Sequence, residues 1–451
     1  MTLLRRSIAF TDRRRLVGVV ICAMGGMCAM VGGVACGEKH EATMTLTFGE
    51  EKDVLTRAPA PTTLVVDAVG TDDKHSEIAR VALPTEQLDL GDQSRSGTGA
   101  MSVRAIDGAG ATLVKGASLF FQWGALESSN LEVFVQRVGE LARVPRGPAT
   151  FDAAIATIAV GRYVFAVNGA RTMLYDLLRL APIDSAPVLP RSAKSLIMFE
   201  TYALAIDEGG GTTVDLSSGL ATALTNPENG TFADVAGGTT IEAPDGISYL
   251  VGGTRSSGGP TQKVMKLDVK GTLTYVSTAK PREGACATWV EGRGLVVYGG
   301  SADGPPEVIA PGGVTGTELP FPSDPVKGCA LATLDGTHVV VVGGSGAKGD
   351  AGAGLPARVL DLTCASGCTP TPWQGVVPLV RAQAVPLGPD KVFVVGDDAA
   401  GNTHAFRVAS SPDNLREVPL KTPRRGAHVV ALPRGGAGIV GGGVGLESYV
   451  E

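Results

Sequence analysis

Histidine is nearly missing from this chain: 451 residues contain five, His40, His75, His338, His404 and His428. No two of them stand at a metal-ligand spacing, so a histidine-built metal centre is excluded and no cofactor is expected. Charge is scarce too, at 19% of residues. That composition excludes a coiled coil or a disordered polyampholyte. Basic residues are outnumbered, 39 against 45 acidic, and a net-acidic surface repels phosphate backbones, so no nucleic-acid partner is expected. Apart from one run near the N-terminus, long apolar stretches are absent. Punctuation is what the chain has in quantity: 62 glycines and 28 prolines, a mix that favours many turns and short strands.

The N-terminal run has its own logic. Arg5, Arg6, Arg13, Arg14 and Arg15 precede the apolar segment 16–34, which closes on Val34-Ala35-Cys36-Gly37. A basic flank, an apolar core and small residues at the end read as an export signal. The run nearly reaches membrane-spanning length, but Gly25, Gly26, Gly32 and Gly33 favour cleavage. Cys36 resembles the acceptor cysteine of a bacterial lipoprotein signal. That resemblance implies a lipidated Cys36 that holds the protein on a membrane, at the outer membrane or cell surface, with no other membrane contact. Residues 37–43 then form a short polar tether. Removing residues 1–35 takes away five basic residues and Asp12, leaving 34 Lys+Arg against 44 Asp+Glu, a net charge of −10.

Four cysteines remain after Cys22, Cys28 and Cys36. Outside the cytoplasm an even set reads as disulfides. Cys364 and Cys368 are expected to pair, because Gly367 lets their short loop bend back. Cys286 and Cys329 are either bridged between neighbouring repeats or buried as free thiols. A metal clip at Cys364 and Cys368 lacks a histidine nearby, and no metal site is expected.

Residues 44–137 alternate apolar and polar over short runs such as TTLVVDAV and LEVFVQRV, bounded by Gly, Pro, Asp or Ser. Close-set strands of this kind argue a small immunoglobulin-like β-sandwich. From 138 to 451 a longer period takes over. Pro281 precedes Gly299 by eighteen positions, and Pro325/Gly343, Pro378/Gly396 and Pro423/Gly441 repeat the interval. Glycine corners can be placed at Asn168-Gly169, Asp207-Glu208-Gly209, Gly252-Gly253, Gly299-Gly300, Gly343-Gly344, Gly396-Asp397 and Gly441-Gly442. Each follows an apolar strand and precedes one that tends to end in Asp, as at Asp176, Asp215, Asp268 and Asp361. Four strands per unit and seven units predict an all-β, seven-bladed propeller. The final unit lacks a fourth strand, and residues 139–145 read like one, so pairing them with 427–451 would close the ring.

These glycine doublets, the apolar–Asp strand ends and a basic residue at the start of strand one resemble kelch-type repeats. Trp373 alone matches the tryptophan that usually ends a kelch unit. The clustered Tyr and His ligands of kelch-fold copper oxidases are missing, as are the Asp boxes of sialidase propellers, and no catalytic residue is named. Acidic loops at Asp72-Asp73 and Asp397-Asp398 lack calcium-loop spacing and read as solvated turns. The recurring basic residue is the candidate binding feature. Arg146, Arg191, Arg282, Lys327, Arg381 and Arg424 are expected to ring one mouth of the propeller and to hold an anionic ligand, unless each is used on carbonyls of the neighbouring blade. The fold and the ring together point to a cell-envelope module that binds a carbohydrate or a protein. An enzyme acting on a sugar or sugar acid at the channel mouth, and a plain envelope scaffold, are the alternatives.

Overall fold

The run His338-Val339-Val340-Val341-Val342 shows how the architecture follows from the residues. A strand with one wet face alternates, whereas this one is buried along its length apart from His338. Val339 and Val341 pack in one apolar cluster with Val296 and Tyr298. Val340 and Val342 pack in another with Val392 and Phe406. The sheet therefore carries a neighbour on each face, as β-sheets covered on both sides require.

The computed structural model describes residues 43–451 except 86, 91–95, 127–128, 154–155, 200–201, 228–229, 347–353, 374–377, 389 and 411–414. The expected export signal, Cys36 and nearly all of the expected tether lie outside the described residues. Seven four-stranded antiparallel sheets follow one another. Blade 1 begins with Ala156–Val160, blade 2 with Ser195–Phe199, blade 3 with Thr239–Glu242 and blade 4 with Cys286–Val290. Blades 5, 6 and 7 begin with Ala330–Thr333, Arg381–Gly388 and His428–Ala431. Each blade's first strand contacts the next around the axis, and the seventh contacts the first. Seven apolar clusters fill the seven gaps between blades.

Ring closure falls where the sequence places it. Leu141–Arg143 pairs with Glu447–Tyr449 as the fourth strand of blade 7, with Leu141 opposite Tyr449 and Arg143 opposite Glu447. Leu141 and Tyr449 share one apolar cluster with Phe393 of blade 6. Blade 7 thereby reaches four strands like the other six.

The corner glycines explain the spacing. Gly299, Gly300, Gly343, Gly344, Gly441 and Gly442 all have φ between +66° and +96°. A Cβ on Gly299 would stand 2.3 Å from the Val326 carbonyl oxygen, and one on Gly442 only 2.1 Å from that of Arg425. Both the backbone conformation and the close approach demand glycine. Beside the corners, main-chain hydrogen bonds step from blade to blade: Gly284 N–H to Gly252 O at 2.7 Å, Gly328 to Gly284 at 2.9 Å, Ala382 to Gly328 at 2.9 Å. The recurrent aspartates are turn builders. Asp268 accepts from the N–H groups of Lys270 and Thr272, and Asp215, Asp361 and Asp398 act likewise. The Asp397-Asp398 loop is thus held by its own backbone.

Cys286 and Cys329 are joined, linking the first strands of blades 4 and 5 with Cα atoms 5.5 Å apart; Cys364 and Cys368 form the second disulfide. The first closes a loop of 43 residues. Replacing both cysteines by serine is expected to cost about 2–4 kcal/mol, read as a lower urea midpoint at unchanged slope. An unchanged midpoint would mean that the apolar contact of blades 4 and 5 suffices alone.

N-terminal to the ring, eight strands form one continuous hydrogen-bonded sheet, in the order 75–82, 63–70, 98–106, 112–117, 130–137, 43–47, 87–89, with 121–122 beside 98–106. Strand 43–47 runs parallel to its neighbour 130–137. Residues from both ends of this path, among them Val81, Val66, Val133, Met44 and Leu88, pack around one core. The sheet curls so that its halves face each other.

Candidate functional site

Strands alternate in direction within a blade, so the start of strand one and the corner between strands two and three lie at the same end. Arg191, Arg282, Lys327, Arg381 and Arg424 therefore share one face of the ring. The structure sorts them into two kinds.

Arg282 and Arg424 are buried struts with fully covered side chains. Arg424 donates from Nε to Glu447 Oε1 at 3.1 Å, from Nη1 to Gly441 O at 3.0 Å, and from Nη2 to Val444 O and Gly445 O. Arg282 repeats this with Glu307 Oε1 at 3.0 Å, Gly299 O at 2.6 Å and the Pro305 carbonyl. Each glutamate also accepts two main-chain N–H groups, Lys421 and Thr422 on Glu447, Ala279 and Lys280 on Glu307. Every guanidinium nitrogen is hydrogen-bonded inside the protein. These two arginines bind carbonyls, but of the blade each one introduces and not of its neighbour as expected, and their side chains are closed to solvent.

Arg191, Lys327 and Arg381 keep 43%, 43% and 35% of their side chains exposed. Every one faces a carboxylate. Arg191 Nε lies 3.1 Å from Asp207 Oδ2, and Arg381 grips Asp397 Oδ2 through Nε at 3.0 Å and Nη2 at 2.6 Å. Lys327 reaches across from blade 5 to Glu283, at 2.5 Å. The mouth carries alternating charge, and a purely basic ring is not formed. Arg146 departs from the set. It binds Glu132 of the N-terminal domain at 2.6 Å, because the ring closes on 141–143 and leaves residue 146 beside that domain.

His428 deepens the arrangement at Arg381. Arg381 Nη1 lies 2.7 Å from His428 Nε2, and the Gln383 amide faces Nδ1 at 2.8 Å. Burial, with the Arg381 charge adding to it, pushes the imidazole down to about 3, so it is neutral at working pH. Asp397 in turn accepts from Thr403 Oγ1 at 2.7 Å and from Gly426 N at 3.1 Å. This buried histidine has no access to a cysteine thiol, since Cys286 and Cys329 are bonded to each other. His404 is the contrary case: burial opposes its charge, but Glu417 at 3.0 Å and Asp398 at 3.2 Å outweigh it and raise its pKa. Among the described residues no three His, Cys, Asp or Glu side chains gather at metal-binding distance.

One side chain that joins distant segments escapes sequence reasoning. Arg434 sits in the turn between the first two strands of blade 7 and contacts Asp73, which precedes it by 361 positions. No local pattern marks it; its positive φ before two glycines is visible only in the fold.

Comparison with family models and with curated proteins finds no match. Among solved structures the chain is similar to a streptogramin B lyase at 12% identity and a TM-score of 0.40, covering 68% of this chain and 96% of that one. A chain of a mitotic checkpoint complex is similar at 8% identity and 0.44, covering 70% and 92%. The N-terminal domain of Nup159 is similar at 11% identity and 0.41, covering 69% and 95%. At that level the assignment of fold rests on this chain's own strand pairing: it is an all-β protein with a seven-bladed β-propeller.

Proposed function

We propose that the chain is an exported binding module of the cell envelope, built on kelch-like repeats and anchored through a lipid on Cys36, whose corner face receives a neutral carbohydrate. The observation that carries this reading is the trio Arg191–Asp207, Lys327–Glu283 and Arg381–Asp397. Each cation is half exposed and already neutralised, so the mouth offers donors and acceptors in alternation. Hydroxyl groups, which both donate and accept, match such a surface better than a polyanion that must displace three carboxylates. Two disulfides fit an oxidising compartment, and seven blades locked by apolar cores give the face a rigid frame. A protein partner is the second reading, favoured by Val188 and Val444, exposed by 80% and 51% on links at the same face.

Binding to an array of neutral and acidic glycans tests the first reading. The R191Q/K327Q double variant is expected to lose at least tenfold in affinity for neutral oligosaccharides bound by the parent chain. Equal binding by the variant, or preference for acidic glycans, overturns the carbohydrate reading. Loss of a captured protein partner in V188D/V444D would support the second. Anchoring is read separately: C36S is expected to move the protein from the membrane fraction to the soluble one, and retention there would argue against the lipid.

A further inference from the structure

A cleft of about 1000 Å³ runs between the N-terminal domain and blades 1, 6 and 7. Four non-glycine residues among those described take positive φ: Asp73 at 56°, Arg146 at 48°, Leu180 at 50° and Arg434 at 69°. Asp73, Leu180 and Arg434 line this cleft, and Arg146 binds Glu132, which lines it too. Left-handed backbone is unfavourable for a side-chain-bearing residue and gathers where surrounding structure or function requires it. Its concentration around one cavity is not what seven equivalent blades would produce.

Arg434 is the clearest instance. Glycine would suit its backbone, and Gly435 and Gly436 follow at 86° and 102°. The arginine instead lays its guanidinium over the Phe120 ring, 4.5 Å from the centroid. Nη1 reaches Asp73 at 3.2 Å, while Nε is buried without a hydrogen-bond partner. A buried guanidinium N–H left unpaired costs free energy that an acceptor would return. Nearby, Lys115 meets the main-chain oxygen of Glu451, and Arg104 is held by Asp67. The lining carboxylates are already taken: Asp73 by Arg434 Nη1, Glu132 by Arg146, and the Glu451 side chain by Arg407 and the Tyr449 hydroxyl. The rest of the lining mixes polar and apolar side chains, among which Leu178 and Phe120 leave 40% and 43% of their surface to water.

An unpaired buried donor in a cavity of ligand size that also exposes Leu178 and Phe120 has a specific complement. We propose that this cleft binds a small anionic amphiphile of the medium-chain carboxylate class, its carboxylate on Arg434 and its chain between Leu178 and Phe120. The site lies away from the corner face and does not depend on what binds there.

Laurate is the probe, with dodecanol as its uncharged counterpart, titrated calorimetrically into the whole chain. Laurate is expected to bind at micromolar concentrations and dodecanol at least tenfold more weakly. R434G removes the anion contact while relieving the left-handed backbone, so its melting temperature should stay within a few degrees of the parent while laurate affinity falls at least tenfold. L178D, at an exposed position, should weaken laurate similarly without unfolding the ring. No laurate binding up to 1 mM, equal binding by R434G, or equal affinity for dodecanol overturns the proposal. A large drop in the melting temperature of R434G with laurate binding retained would make Arg434 an interdomain latch and overturn it too.

Discussion

Arg424→Ala is expected to lower the stability of the chain by about 3–5 kcal/mol, the range for removing one partner of a fully buried ion pair. The loss comes chiefly from what stays behind. Glu447 would remain buried with two main-chain N–H groups and no counter-charge, and the carbonyls of Gly441, Val444 and Gly445 would lose their donor. The damage falls on blade 7, where the ring is sealed. The R424M/E447L double variant removes both charges together and should recover most of the loss. Urea unfolding followed by far-ultraviolet circular dichroism measures both. A single variant within 1 kcal/mol of the parent would show that the pair contributes nothing to holding the seam. Arg282→Ala should behave alike in blade 4, and because the two sites share no partners their effects should add.

Stability is expected to fall as the pH drops from about 6.5 toward 3, and His428 is the reason. In the folded chain its burial, seconded by the Arg381 charge, keeps the imidazole neutral down to about 3, against an ordinary 6.5. The unfolded chain takes up the proton first and is favoured by it. The histidine's cost is therefore nil above 6.5, grows by up to 1.36 kcal/mol per pH unit below it, and amounts to something on the order of 4 kcal/mol near pH 3. Glutamine at 428 keeps an acceptor for Arg381 and does not titrate. The difference between parent and H428Q should widen in favour of the variant between pH 6 and 4. Asp335 and Asp398, held down at about 2 by the hydrogen bonds their side chains accept, act only below 3.8. His404, with its pKa raised, acts in the opposite sense: its contribution is complete below 6.5 and is lost as pH rises. Parallel pH profiles for parent and H428Q would contradict the assignment.

Blade number, strand number and closure were legible because each leaves a local mark. Positive φ and backbone approach force glycine at the corners, two-sided burial forces unbroken apolar runs such as 338–342, and a missing fourth strand leaves a gap to be filled from upstream. The two fates of the basic residue were not legible at the same level. Arg282 and Arg424 are buried because a glutamate stands on strand three, at 307 and 447, whereas Arg191 and Arg381 find an aspartate at the corner, at 207 and 397. The frame repeats in both, and only the partner's position distinguishes a strut from a half-open pair. Arg146 fits the frame by sequence, yet the neighbouring domain takes it. The Arg434 cleft left no mark in the sequence, since its walls come from segments more than three hundred residues apart.

The seam also sets an order of events. Leu141–Arg143 is synthesised directly after the N-terminal domain, and its partner Glu447–Tyr449 follows more than three hundred residues later. Contacts so distant in the chain are slow to form. Until the last blade emerges, the apolar side of Leu141 and the unpaired edge beside it stand open to solvent, a template for stray strands. A nascent chain of this design needs protection at Leu141–Arg143 until its last blade is made, and a ribosome stalled within blade 7 would release a form with that edge still open.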